Sequence, residues 1–172
     1  MRAILNASPI IAVLDELCVP KIFLLLRQIG WDLEVPEYVS HQEIVKPPGA
    51  QALRELIDNG ILTEIADPPA ALISGFVDEN PDLEWGESCV VLSCANLIER
   101  GSDVIAVLDD GPARTKAQGM GIPLIGTLGL IGLLEKRNLV SKEEASRLRR
   151  LLGSSTFRAS TALLRDPEDR VN

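Results

Sequence analysis

The chain has 172 residues, 46% of them hydrophobic and only 3% aromatic, which suits one domain with an aliphatic core rather than two independent ones. Its formal charge of −8 opposes long-range attraction to phosphate and excludes a generic nucleic-acid coating protein, though not an enzyme whose carboxylates hold bridging cations. One histidine, His41, and three cysteines with no CxxC spacing leave a zinc hydrolase or a disulfide framework without material, and the apolar runs 22–26 and 124–134 are too short or too interrupted to span a bilayer.

In chain order, Ala3-Ile4-Leu5 predicts a short buried strand over residues 2–5. It runs into a helix rather than a cleavage site, so no secretory signal and a cytoplasmic protein are expected. Ser8 as N-cap with Pro9 in the first turn predicts a helix over 10–17. A second helix, 21–29, is opened by Pro20 and closed by Gly30, and an extended piece follows at 32–35. Pro36 starts a third helix, 37–45, which carries Glu43 near its end and is stopped by Pro47-Pro48-Gly49. Helix 50–59 is capped by Gly60, strand 61–65 follows, and Pro68-Pro69 introduces a helical segment to about Val77. Residues 78–84 read as an acidic loop.

Gly86-Glu87 opens an apolar helix, 88–100, with Glu87 in its first turn and Val90, Val91, Cys94, Leu97 and Ile98 on one buried face. The strongest strand is 103–108, a Val/Ile/Ala/Leu run expected of a central parallel strand, and it delivers Asp109 and Asp110. Helix 111–120, strand 122–124, helix 127–136 and helix 141–152, the last with Ser141 and Glu144 as a capping box, complete the pattern. A further helix over 154–164 and a charged tail over 165–172 are expected. Alternating strands and helices predict a parallel sheet with helices on both faces.

Asn6, Glu43, Glu87 and Asp109-Asp110 each stand at the edge of an apolar segment. In open parallel sheets the ligand crevice lies beyond the carboxyl ends of the strands, where strand order reverses, and Asn6 and Asp109 stand at such ends. Carboxylates that converge there suit a hard cation, which takes oxygen ligands. Each position also has an ordinary structural role: Asn6 in a turn, Glu43 solvated, Glu87 at a helix N-terminus, Asp109-Asp110 in a turn.

The segments Ile4-Leu5-Asn6-Ala7-Ser8-Pro9-Ile10-Ile11, Gly86-Glu87-Ser88, Leu108-Asp109-Asp110-Gly111-Pro112-Ala113-Arg114 and Ile125-Gly126-Thr127-Leu128-Gly129-Leu130 resemble, in that order, those of PIN-domain proteins. The closest branch is the DUF3368 group, similar to VapC toxins, and the resemblance runs from about residue 2 to residue 150. It implies a three-layer α/β/α fold with a mostly parallel sheet over residues 1–152, with 153–172 as a helical extension and tail of the same domain. It also implies an Mg²⁺- or Mn²⁺-dependent endoribonuclease, commonly a homodimer and often a toxin encoded beside a small antitoxin. Carried over by position, Asn6 falls where the family's first Asp stands. Glu43 matches the acid on the third helix, Glu87 the acid opening the helix before the central strand, and Asp109 or Asp110 the acid ending that strand. The metal ligands implied are Asn6, Glu87, Asp109 and Asp110. Ser8 and Thr127 match hydroxyls near the metal, and Arg114 is placed either to approach substrate or to tie its helix to the acidic cluster.

The departure is Asn6, since an amide oxygen ligates a metal but brings no charge. It separates an active ribonuclease from a catalytically weakened PIN-like domain that binds RNA or a protein partner. If the acids repel one another without a cation, their pKa values are raised and Mg²⁺ stabilises the fold. His41, two residues from Glu43, does not share its face and reads as a surface residue. Trp31 and Trp85 flank loops, where boundary packing is the commoner role and base stacking the rarer one. The glycines at 119–129 lack a P-loop Lys, and Arg147, Arg149, Arg150, Arg158 and Arg165 offer either a contact for RNA or an acidic partner or, more commonly, a solvated face.

Overall fold

Five short segments carrying aliphatic residues become the strands of one all-parallel sheet in the order β3-β2-β1-β4-β5. They are β1 (Arg2–Leu5), β2 (Asp32–Pro36), β3 (Leu62–Ile65), β4 (Val104–Val107) and β5 (Leu124–Ile125). The computed structural model describes residues 1–154. The helix expected over 154–164, the tail beyond it, and Arg158 and Arg165 therefore lie outside the described residues, apart from Ser154 itself.

The register sets Leu5 beside Val107 and Val35 beside Glu64. Strand order reverses between β1 and β4, so the crevice beyond their carboxyl ends is the place where a ligand site is expected in such a sheet. Alternation along the strands sends Ala3, Leu5 and Val107 to one core and Ile4, Val104 and Ala106 to the other. The first core is covered by α1 (Ala7–Ile11), α2 (Lys21–Gln28), α3 (Gly49–Asp58), α7 (Thr127–Lys136) and α8 (Lys142–Ser154). The second is covered by α5 (Trp85–Glu99) and α6 (Gly111–Gly119), with α4 (Ala70–Glu79) packed on α5. Three layers result, and no helix among the described residues is long and apolar enough to cross a membrane.

Within the described residues the expected elements are present, with local differences. The first helix begins at Ala7, not Ile10, and its N-cap is Asn6 rather than Ser8. Pro9 still falls in the first turn, where its missing N–H costs nothing. Its continuation, Ala12–Glu16, widens into a π-type turn, as does Val39–Glu43. The acidic segment 78–84 is helical as far as Glu79. The last short strand is Leu124–Ile125, displaced from 122–124. Gly30 and Gly60 end their helices at φ +85° and +68°, a left-handed conformation that a Cβ disfavours. At α8 only half of the capping box forms: Ser141 Oγ accepts from the Glu144 N–H at 3.1 Å, while the Glu144 carboxylate turns to Arg147.

Candidate active site

The Asn6 N–H donates to the Val107 carbonyl at 3.1 Å, carrying the β1–β4 ladder one residue past the strand end. This fixes Asn6 at the mouth of the crevice. The residue is 3% exposed and its side chain makes no capping bond to α1. Its Oδ1 is buried without a hydrogen-bond partner. Buried polar atoms are nearly always paired, so an orphaned acceptor here marks a place where a donor or a cation belongs. Ser8 follows in the first turn of α1 and is half-buried.

The two aspartates after β4 face different neighbours. Both oxygens of Asp109 are engaged by the start of α7: the Thr127 N–H donates to Oδ1 at 2.8 Å and the Thr127 hydroxyl to Oδ2 at 2.6 Å. Gly126 permits this approach, since a Cβ there would lie 2.6 Å from Asp109 Oδ1. Arg114 Nη1 donates to the Leu108 carbonyl at 2.8 Å, and its charge favours ionised Asp109, yet burial dominates and raises the Asp109 pKa. Asp109, Thr127 and Arg114 thus form a clamp tying the β4 exit to α6 and α7.

Asp110 caps α6, its Oδ1 accepting from the Ala113 N–H at 3.0 Å. Its charge reaches Glu87, whose pKa is raised by burial first and by Asp110 and Glu84 in addition. Glu87 stands in the first turn of α5, where its Oε2 accepts from the Glu84 N–H at 2.9 Å. Glu43 completes the row from the other side. Burial, then the charges of Glu84 and Glu87, push its carboxyl up to about 7, against a hydrogen bond from the Gly86 backbone that lowers it. The raised values expected from mutual repulsion are present at Glu43 and Glu87, but burial is the larger cause.

Glu84 is the participant that pattern reading did not single out. The signal was the spacing Glu84-x-x-Glu87 at a helix start, a capping-box arrangement in which the third residue reaches back to the N-cap amide.

A Cβ at Gly86 would run into the Glu43 carboxylate. Gly86→Ala is therefore expected to displace Glu43 and to cut any activity that needs it, while the melting temperature stays within a few degrees. Ala favours a helix by up to about 1 kcal/mol over Gly, and the displaced group is a flexible side-chain end. Thermal melts beside an activity assay check this; unchanged activity would mean that Glu43 is idle.

Asp110, Glu87, Glu84 and Glu43 therefore form one interacting row, with Asn6 at the adjacent strand end, and Asp109, Thr127 and Arg114 form a separate clamp. Among the described residues no three His, Cys, Asp or Glu side chains gather closely enough to hold a metal ion. His41 lies outside the row, its Nε2 2.8 Å from Glu64 Oε1, which also accepts from the Ser40 hydroxyl at 2.6 Å.

The family model DUF3368, a PIN domain, matches residues 2–171. The chain belongs to this PIN-domain family. A comparison with curated proteins finds no match. PIN domains are in general nucleases, so the sheet and its crevice are a nuclease-type scaffold. The donors of this PIN domain are all oxygens, which suits a hard divalent cation rather than zinc. The orphaned Asn6 Oδ1 fits the same chemistry.

Proposed function

We propose that this PIN domain is a divalent-metal-dependent endoribonuclease, with Asn6, Glu87 and Asp110 as the groups that would hold Mg²⁺ or Mn²⁺ and Glu43 beside them. The observation that carries the reading is the buried, unpartnered Asn6 Oδ1 at the β1–β4 switch point, next to the strand exit that bears Asp110. When bound, a divalent cation supplies Lewis-acid stabilisation of the charge that develops on phosphoryl oxygens. Glu43, with its carboxyl near 7, can take up or release a proton at neutral pH, the property needed of a group that serves an attacking water or a leaving oxygen. Glu84 keeps Glu87 in place through its backbone N–H. Asp109, Thr127 and Arg114 hold the turn that aims Asp110. In the setting that the family resemblance suggests, the protein is a cytoplasmic toxin, a homodimer paired with a small antitoxin.

A second reading is favoured by one observation: among the described residues no three acids gather to hold a cation, and position 6 carries an amide rather than a carboxylate. In that reading the domain binds RNA or a protein partner without cutting it. Cleavage of a mixed RNA pool by the full chain with Mn²⁺, Mg²⁺ or a chelator separates the two. The expected result is metal-dependent cutting that Glu87→Gln abolishes and Asn6→Asp raises severalfold. A folded protein that cuts nothing, with Asn6→Asp equally inert, would select the binding module.

A further inference from the structure

The Tyr38 and Trp85 rings meet with centroids 6.0 Å apart at an interplanar angle of 42°. Both residues are half-buried. The other aromatic side chains among the described residues are occupied: Phe23 and Trp31 lie in the core, and Phe76 is covered by Lys116 Nζ at 5.0 Å. Trp85 opens α5 immediately before Gly86 and Glu87, and Tyr38 lies on the same helical segment as Glu43, residues 37–43. The ring pair and the Glu43 contact with Gly86 therefore bridge the same two elements. This puts an aromatic surface at the junction that carries the acidic row.

We infer that the Tyr38–Trp85 pair is the seat on which a nucleobase next to the cleaved phosphodiester stacks. The inference rests on the nuclease reading above. A chain of charge −8 gains little from phosphate contacts, and the acids beside Trp85 repel phosphate further. A base is uncharged and meets no such penalty. Stacking on an aromatic ring is a main source of affinity for single strands and tolerates any sequence, with larger bases gaining more. A duplex cannot use the seat, because its bases already stack on one another. The rings meet at a 42° tilt rather than stacked flat, and both residues keep part of their surface in solvent.

The test uses the full chain with a short single-stranded oligoadenylate in the presence of chelator, so that nothing is cut. The chain has two tryptophans, and the buried Trp31 is the only one left in Trp85→Phe. Oligoadenylate is expected to quench the fluorescence of the unaltered protein and not that of Trp85→Phe, and oligouridylate to quench less at equal concentration. In metal-dependent cleavage, Trp85→Leu is expected to raise KM about tenfold with kcat within about twofold, and Trp85→Phe to restore most of the loss, as the removal of one base-stacking contact predicts. No quenching, with KM unchanged in Trp85→Leu while the RNA is still cut, would overturn the stacking seat and leave the nuclease standing. A protein that neither quenches nor cuts would overturn both.

Discussion

Asp110→Asn is expected to lower RNA cleavage about a hundredfold or more with little change in melting temperature, since removing one group that stabilises developing charge has effects of that size. Asp109→Ala is expected to do its damage through the fold. The two positions are adjacent, but their neighbours differ. Asn is as good an N-cap as Asp, so the Ala113 N–H keeps its acceptor in Asp110→Asn and α6 keeps its start. What changes is the charge facing Glu87. In Asp109→Ala the Thr127 N–H and hydroxyl lose their acceptors and the half-buried Arg114 loses its neighbouring carboxylate. Charge-assisted hydrogen bonds of this kind contribute about 1.5–3 kcal/mol each, partly offset by the relieved cost of burying the carboxylate. A net loss of about 2–3 kcal/mol should lower the melting temperature by roughly 4–12 °C in a domain of this size. Cleavage rates and thermal melts of both variants decide the matter. Were Asp109→Ala as stable as the parent and as inactive as Asp110→Asn, the clamp would belong to the catalytic machinery.

This division between adjacent aspartates shows where a sequence stops being informative. The central strands β1 and β4 were legible because buried parallel strands read as runs of Val, Ile, Leu and Ala, and the β4 run pointed directly at residues 109 and 110. Helix 127–136 was legible to the residue, from Gly126 before it and its apolar repeat. Which aspartate faces which neighbour was not, because the answer lies in a hydrogen bond to Thr127, 18 positions away. The N-cap of α1 was misread for a related reason. Asn and Ser cap helices about equally well, and the ladder bond from Asn6 to Val107 holds the chain so that the helix begins at Ala7. The π-type turn that carries Glu43 has no local signature at all; it is closed by the Ile44 N–H on the Val39 carbonyl, one residue wider than a helix allows. Such wide turns concentrate at functional sites, which is how this one places Glu43 against Gly86. The acidic spacing at 84 and 87 was legible but went unused.

Without a divalent cation the protein is expected to lose stability as pH rises from about 4.5 to about 7, and with millimolar Mn²⁺ or Mg²⁺ that loss should vanish. Glu43 titrates at its ordinary 4.5 when unfolded and at about 7 when folded. Between those values the folded state holds more protons, so unfolding free energy falls with pH. Glu87 and Asp109 are raised as well and act in the same direction. Because Glu43 is partly exposed, its share is discounted for solvent screening to about 1–2 kcal/mol. A cation binds the ionised carboxylates and so reverses the sign: at a hundred times its Kd it adds about 2.7 kcal/mol. The expected record is a melting temperature that falls between pH 5 and pH 7.5 in chelator, and a rise of roughly 5–10 °C on adding metal at pH 7.5, with almost none at pH 5. Glu43→Gln supplies the internal control. The amide keeps an oxygen for the Gly86 N–H and cannot ionise, so this variant should melt above the parent at pH 7.5 in chelator while cutting RNA more slowly. A site whose removal stabilises the fold and weakens the chemistry is one built for a cation and a substrate rather than for stability. A melt indifferent to both pH and metal would show that the acidic row neither titrates nor binds.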